Sequence, residues 1–91
     1  MLISNIINIL HATSYYNGEE TSIPHTMDID LNTGSCKKNI KEDGLVYDYT
    51  ILKITKDGNE KEFTVEANDY IDAESLEEIR NFCKYEESEE D

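Results

Sequence analysis

The sequence has no tryptophan, a single proline, two cysteines, four glycines, and only 8 basic residues against 21 acidic ones. Each shortage excludes something. Without tryptophan, six tyrosines and two phenylalanines are the bulkiest core material for 91 residues. That supply suits one layer of sheet covered by one or two helices. The four glycines stand alone in separate stretches, so no glycine-rich phosphate cradle is present. Cys36 and Cys83 are far apart and form no C-x-x-C pair, which fits reduced, buried thiols. The apolar N-terminal stretch MLISNIINIL is too short and too rich in asparagine to span a bilayer, and it lacks the basic region of a signal peptide. A cytosolic protein is expected.

The scarcity of basic residues is the most informative absence. A net charge of -13 and the lack of any basic patch argue against direct binding to nucleic acid or to an anionic membrane surface. The same field attracts basic proteins at long range. Solubility alone would also account for it.

Periodicity gives the elements. Leu2, Ile3, Ile6, Ile7, Ile9 and Leu10 fall within about 160° on a helical wheel, an amphipathic stripe that predicts an N-terminal helix. Four β-branched isoleucines and a missing N-cap argue for a strand instead. Asn17-Gly18 signals a type I′ turn between Tyr16 and Glu19. Pro24 bars its own position from the middle of a sheet. Met27, Ile29 and Leu31 alternate with Asp28, Asp30 and Asn32, as in a half-buried strand, and Gly34 provides the turn out of it. SCKKNI returns in a register the sequence does not fix, and KEDG, residues 41–44, is a further turn. Asp57-Gly58 predicts a two-residue hairpin pairing Lys56 with Asn59, Lys53 with Glu62, Leu52 with Phe63 and Thr50 with Val65. A C-terminal helix follows, capped by Asp72 or Ser75, with Leu76, Ile79, Phe82 and Cys83 on its inner side. The expected fold is α+β: a small single-layer antiparallel β-meander of three to five strands, packed by the C-terminal helix and by the N-terminal one if it forms. Residues 1–85 make one domain, and EESEED, residues 86–91, is an acidic, flexible tail.

MDIDLNTG, residues 27–34, has the look of a calcium loop. Counted from Asp28, however, the sixth position is Thr33, Gly34 comes one late, and the twelfth is Asn39 rather than Glu. His11, His25, Cys36 and Cys83 show no zinc-ligand spacing and no nucleophile signature. No metal, cofactor or catalytic residue is expected, and a non-enzymatic role is read.

What remains is the placement of the acids. Asp28 and Asp30 would leave one strand face two residues, about 6.6 Å, apart. Glu60, Glu62 and Glu66 would form a second row on the hairpin, and Glu74, Glu77 and Glu78 would extend the charge onto the helix. Tyr47, Tyr49, Tyr70 and Tyr85 are candidate anchors for an interface. In size, acidity and helix–meander–helix order the chain resembles small phage-encoded inhibitors of bacterial defence, among them DNA-mimicking anti-CRISPR proteins. That likeness is one of type, with no shared motif. It implies an acidic nucleic-acid mimic that occupies the basic site of a nucleic-acid-binding partner. An immunity protein that neutralises a basic nuclease toxin, or a small acidic domain acidic for solubility, fits the same residues.

Overall fold

A computed structural model describes residues 5–41, 44–66 and 68–84. Five antiparallel strands form one sheet: β1 (Ile6–Tyr16), β2 (Thr21–Asp30), β3 (Cys36–Asn39), β4 (Tyr49–Lys56) and β5 (Asn59–Val65). One helix, α1 (Ala73–Cys83), follows. The strand order is β3-β2-β1-β4-β5. The first three strands are a meander, but the β4–β5 hairpin docks on the far side of β1 rather than beside β3. The simple meander is thereby corrected. β1, the longest strand at 11 residues, pairs with β2 on one side and β4 on the other.

The N-terminal helix is not formed over the described residues: Ile6–Leu10 begin β1. The β-branched isoleucines and the missing cap prevail over the helical stripe. A partner strand also satisfies the backbone along the whole segment, which an isolated short helix could not match. Residues 2–4 of that expected helix lie outside the described residues. Pairing runs Ile9↔Met27 and then Ala12↔His25, so β1 carries one extra residue, a β-bulge. Ile9 and Ala12 are both buried, while Leu10 and His11 between them are both exposed.

The Asn17-Gly18 turn also differs. Tyr16 pairs with Thr21, not with Glu19, and positive φ extends over Asn17, Gly18 and Glu19. The connection is a four-residue loop closed by Glu20 N–H donating to the carbonyl of Asn17 at 3.3 Å. Pro24 sits where the sequence allows it, because β3 pairs only with Thr26–Ile29 and no described strand lies outside Pro24. In the β4–β5 hairpin Lys56↔Asn59, Lys53↔Glu62, Leu52↔Phe63 and Thr50↔Val65 all pair as expected. Asp57 and Gly58 both have positive φ, as a type I′ turn requires. The expected turn at residues 41–44 falls partly outside the described residues.

Side-chain alternation gives the sheet two unlike faces. The inner one carries Ile9, Met27, Ile29, Leu52, Phe63 and Val65, all buried. Part of it is covered by α1 through Leu76 and Ile79, with Ile71 just ahead of the helix. The Phe82 ring meets Phe63 edge-on, with centroids 5.7 Å apart. Asp72 is the cap, accepting from the Ser75 N–H at 3.0 Å, so the alternative box starting at Ser75 is not used. At the other end Lys84 turns left-handed, and its N–H bonds back to the Arg80 and Asn81 carbonyls. The Arg80 guanidinium donates to the carbonyls of Leu31 (2.6 Å) and Asn32 (2.8 Å), which fastens the helix to the β2–β3 turn.

The rest of the inner face is covered by Tyr47, on the segment between β3 and β4. Its ring meets Tyr16 edge-on and lies under the Lys38 ammonium. The Asn68 amide holds its backbone, accepting from the Tyr47 N–H at 3.0 Å and donating to its carbonyl at 3.4 Å.

Gly34 is needed twice at the β2–β3 turn. Its φ is +86°, and an added Cβ would come within 2.9 Å of Leu76 Cδ2 in the core. Gly58 has a similar φ, +82°, but open space around it. Both Gly→Ala changes therefore bear the left-handed backbone cost of about 1–2 kcal/mol. Gly34→Ala should lose a further ~1 kcal/mol or more through crowding. Urea unfolding of the two variants side by side measures the difference, and equal losses would refute the Leu76 contact.

Candidate interaction surfaces

The expected acidic residues lie on two opposite surfaces. Asp28, Asp30, Glu60 and Glu62 stand on the outer face of the sheet, because their neighbours Ile29, Ile54 and Phe63 point inward. Glu74, Glu77 and Glu78 are exposed on α1, whose buried side packs on the inner face. Glu66 is exposed just beyond β5, and its N–H donates to Asp72 Oδ1 at 3.0 Å. A single continuous row of these eight acids is not formed. The reason is topological: the chain crosses from one face to the other between β5 and α1.

The outer-face acids are partly occupied. Asp28 accepts from Asn8 Nδ2 at 2.6 Å and pairs across the strand with Lys37. Asp30 Oδ1 accepts the backbone N–H groups of Asn32 (2.8 Å) and Thr33 (3.3 Å), so it caps the turn. Glu62 lies opposite Lys53. Between these acids runs an apolar band. Leu10 is 66 % exposed and Ile6 57 %, and the rings of Tyr15 and Tyr49 stack at 4.8 Å. A groove of about 520 Å³ lies in the band, lined by Leu10, Thr13, Pro24, Ile51, Lys53 and Glu62 among others.

On the helix side the acids are concentrated in one segment, with Lys38, Lys56 and Lys61 at the adjoining inward positions of the sheet. Residues 66–78 contain Glu66, Asp69, Asp72, Glu74, Glu77 and Glu78 and no lysine or arginine. Arg80 comes within 4.0 Å of Glu77, but two of its nitrogens are committed to the Leu31 and Asn32 carbonyls. Asp72 is used by the fold. Burial works against its charge, yet the bonds from Glu66 and Ser75 prevail and hold its pKa below the ordinary 3.8. Tyr70 projects from this segment, 65 % exposed. Of the other proposed anchors, Tyr47 is buried, Tyr49 is half-buried in the outer-face stack, and Tyr85 lies outside the described residues. So do the acidic tail 86–91 and Glu42 and Asp43.

A polar chain on the inner face went unforeseen. Ser14 Oγ and Thr50 Oγ1 are 2.7 Å apart and fully buried, and His25 Nε2 lies 3.5 Å from Ser14 Oγ. His25 Nδ1 is 2.9 Å from the Ile23 carbonyl. The hairpin register already placed Thr50 on an apolar face, and a buried hydroxyl calls for a partner. Ser14 is 0 % exposed, while His25 is half-buried. Cys36 and Cys83 are free thiols packed at the core margin, and burial raises both pKa values. Among the described residues no group of three or more His, Cys, Asp or Glu is placed to hold a metal ion.

Comparison with protein-family models, with curated proteins and with solved structures finds no match for this chain.

The polar chain has a pH signature. Burial, with a smaller push from Lys38, lowers the His25 pKa below the ordinary 6.5 against the opposing Ile23 bond. The unfolded chain then takes up a proton first. The stability is complete above pH 6.5 and falls as the pH drops below it. Urea midpoints at pH 7.5 and 5.5 should show this fall, and His25→Gln should reduce it. An unchanged fall in that variant would assign the effect to other groups.

Proposed function

We propose that this chain is a non-enzymatic acidic binding protein that occupies the basic nucleic-acid-binding site of a partner protein. The observation that carries this reading is the helix-side surface, where Glu66, Asp69, Glu74, Glu77 and Glu78 stand without a basic residue in the same stretch. On α1 Glu77 and Glu78, at i+3 and i+4 from Glu74, each bring their Cβ within about 5–6 Å of that of Glu74. Closely spaced, solvated carboxylates offer a nucleic-acid cleft the anions it is built to neutralise. Tyr70, exposed in the same segment, adds an aromatic contact of the kind that anchors interfaces and that nucleic-acid sites use for stacking. A phage-type inhibitor of a bacterial defence complex is the sharpest form of the proposal.

This reading moves the centre of the surface from the sheet to the helix. Asp28 and Asp30 already serve Asn8 and the β2–β3 turn, whereas Glu74, Glu77 and Glu78 are exposed on the helix. A cytoplasmic site of action belongs to the same proposal. No described helix is long and apolar enough to cross a membrane.

The test is capture of partners from a bacterial lysate on the immobilised protein at low salt, followed by competition. The expected captives are basic nucleic-acid-binding proteins, displaced by a DNA or RNA oligonucleotide and by about 0.5 M salt, where screening shortens to a few Å. Glu74→Lys/Glu77→Lys/Glu78→Lys should abolish their capture with the circular-dichroism spectrum unchanged. Retention by that variant, or indifference to the oligonucleotide, would refute the proposal.

A further inference from the structure

The outer face of the sheet is a second surface of different character, and helix α1 lies on the other side of it. Its centre sets Leu10 and Ile51 beside His11, Thr13 and Lys53, and acids stand on its borders. The bulge in β1 leaves Leu10 and His11 both pointing outward: Leu10 alternates normally with the inward Ile9, His11 is the residue that breaks the alternation, and Leu10 shares the groove with Thr13 and Ile51. The Tyr15–Tyr49 stack closes one end of the band, with the carboxylates of Glu19 and Asp48 beside the Tyr49 phenol. Asp28 on β2 and Glu60 and Glu62 on β5 flank the band on its two long sides. β2 and β5 are separated by β1 and β4, three inter-strand spacings or about 14 Å. An α-helix with its side chains is about 10–12 Å across. The span between these acids is thus about as wide as one helix, with Leu10 and Ile51 near its middle and carboxylates on both sides.

We propose that this face docks a cationic amphipathic helix of a partner protein. The leucine-type ridge of that helix would lie over Leu10, Pro24 and Ile51, and its flanking lysines or arginines would meet Asp28 on one side and Glu60 and Glu62 on the other. Lys37 and Lys53 offset part of this charge, but Glu19, Asp30, Asp48 and Glu60 remain in excess on or beside the face. Charge selects this occupant over a second copy. Two such chains would bring acids against acids, each carrying a net -13. The surface is separate from the helix-side acids, so the proposal stands or falls independently of the one above.

The experiment uses the full chain and a synthetic helix with leucines along one face and lysines on its flanks. A control peptide of equal charge has glutamine in place of leucine. At about 0.15 M salt the screening length is near 8 Å, so acids on the far side of the sheet contribute little. Backbone-amide NMR shifts on titration should move at Leu10, Thr13 and Ile51 and not along Glu74–Glu78. The control peptide should bind at least about tenfold more weakly, the factor that 1.4 kcal/mol of apolar contact represents. Leu10→Ser/Ile51→Thr, at positions outside the core, should weaken binding by a similar factor. Asp28→Asn/Glu62→Gln, which leaves the apolar band intact, should weaken it and flatten its salt dependence. Glu74→Lys/Glu77→Lys/Glu78→Lys should bind the peptide within about twofold of the parent. Shifts centred on the helix acids, equal binding of the two peptides, or indifference to the Leu10/Ile51 change would each overturn the proposal. So would a dimer of the free protein in sedimentation that Leu10→Ser dissolves, since a second copy would then be the occupant.

Discussion

β1 is paired on both sides, with β2 and with β4, and its register slips by one residue between Ile9 and Ala12. The rest of the molecule depends on that slip. Upstream of it the inward residues are Ile7 and Ile9, facing Ile29 and Met27. Downstream they are Ala12 and Ser14, which face Leu52 and Thr50 across to β4. Without the extra residue, the parity of one half would reverse, and every inward side chain on that half would face water. The bulge lets a single 11-residue strand serve the helix-covered half of the inner face and the tyrosine-covered half together.

The inner face then has two covers of different chemistry. Over Ile9, Met27, Leu52 and Phe63 the cover is α1, seated by Leu76 and Ile79 and tied by Arg80 to the Leu31 and Asn32 carbonyls. Over Ser14, His25 and Thr50 the cover is the segment around Tyr47, clamped by Asn68 and capped by Lys38 over the ring. The first half is held by apolar burial and the second by hydrogen bonds among few apolar groups. A chain of this size, without tryptophan, has too little apolar material to finish the whole face in the first way.

Charge is distributed by the same topology. The passage from β5 to α1 carries the acids of residues 66–78 to one side, while the strand acids stay on the other. Carboxylates that read in sequence as one acidic surface are therefore two. One is concentrated on α1 and the segment before it, with Lys38 and Lys56 at its margins. The other is mixed with Lys37 and Lys53 and surrounds an apolar band.

Local chemistry made some of this legible from the residues alone. Asp57-Gly58 fixed the β4–β5 register because two positive-φ residues leave one way to close that hairpin. The alternation of Met27, Ile29 and Leu31 placed Asp28 and Asp30 outward and removed the calcium loop. Leu76, Ile79, Phe82 and Cys83 marked the buried side of α1, since helical spacing and burial coincide there. The N-terminal segment misled, because isoleucines at 3, 6, 7 and 9 satisfy a helical wheel as well as they satisfy strand propensity. Only neighbours on both sides of β1 decide between the two. The same holds for the docking of β4 on β1, the bulge that leaves Leu10 and His11 both outward, and the separation of the acids onto two faces. These depend on which strands meet, and contacts between residues distant in the chain leave no local pattern to read.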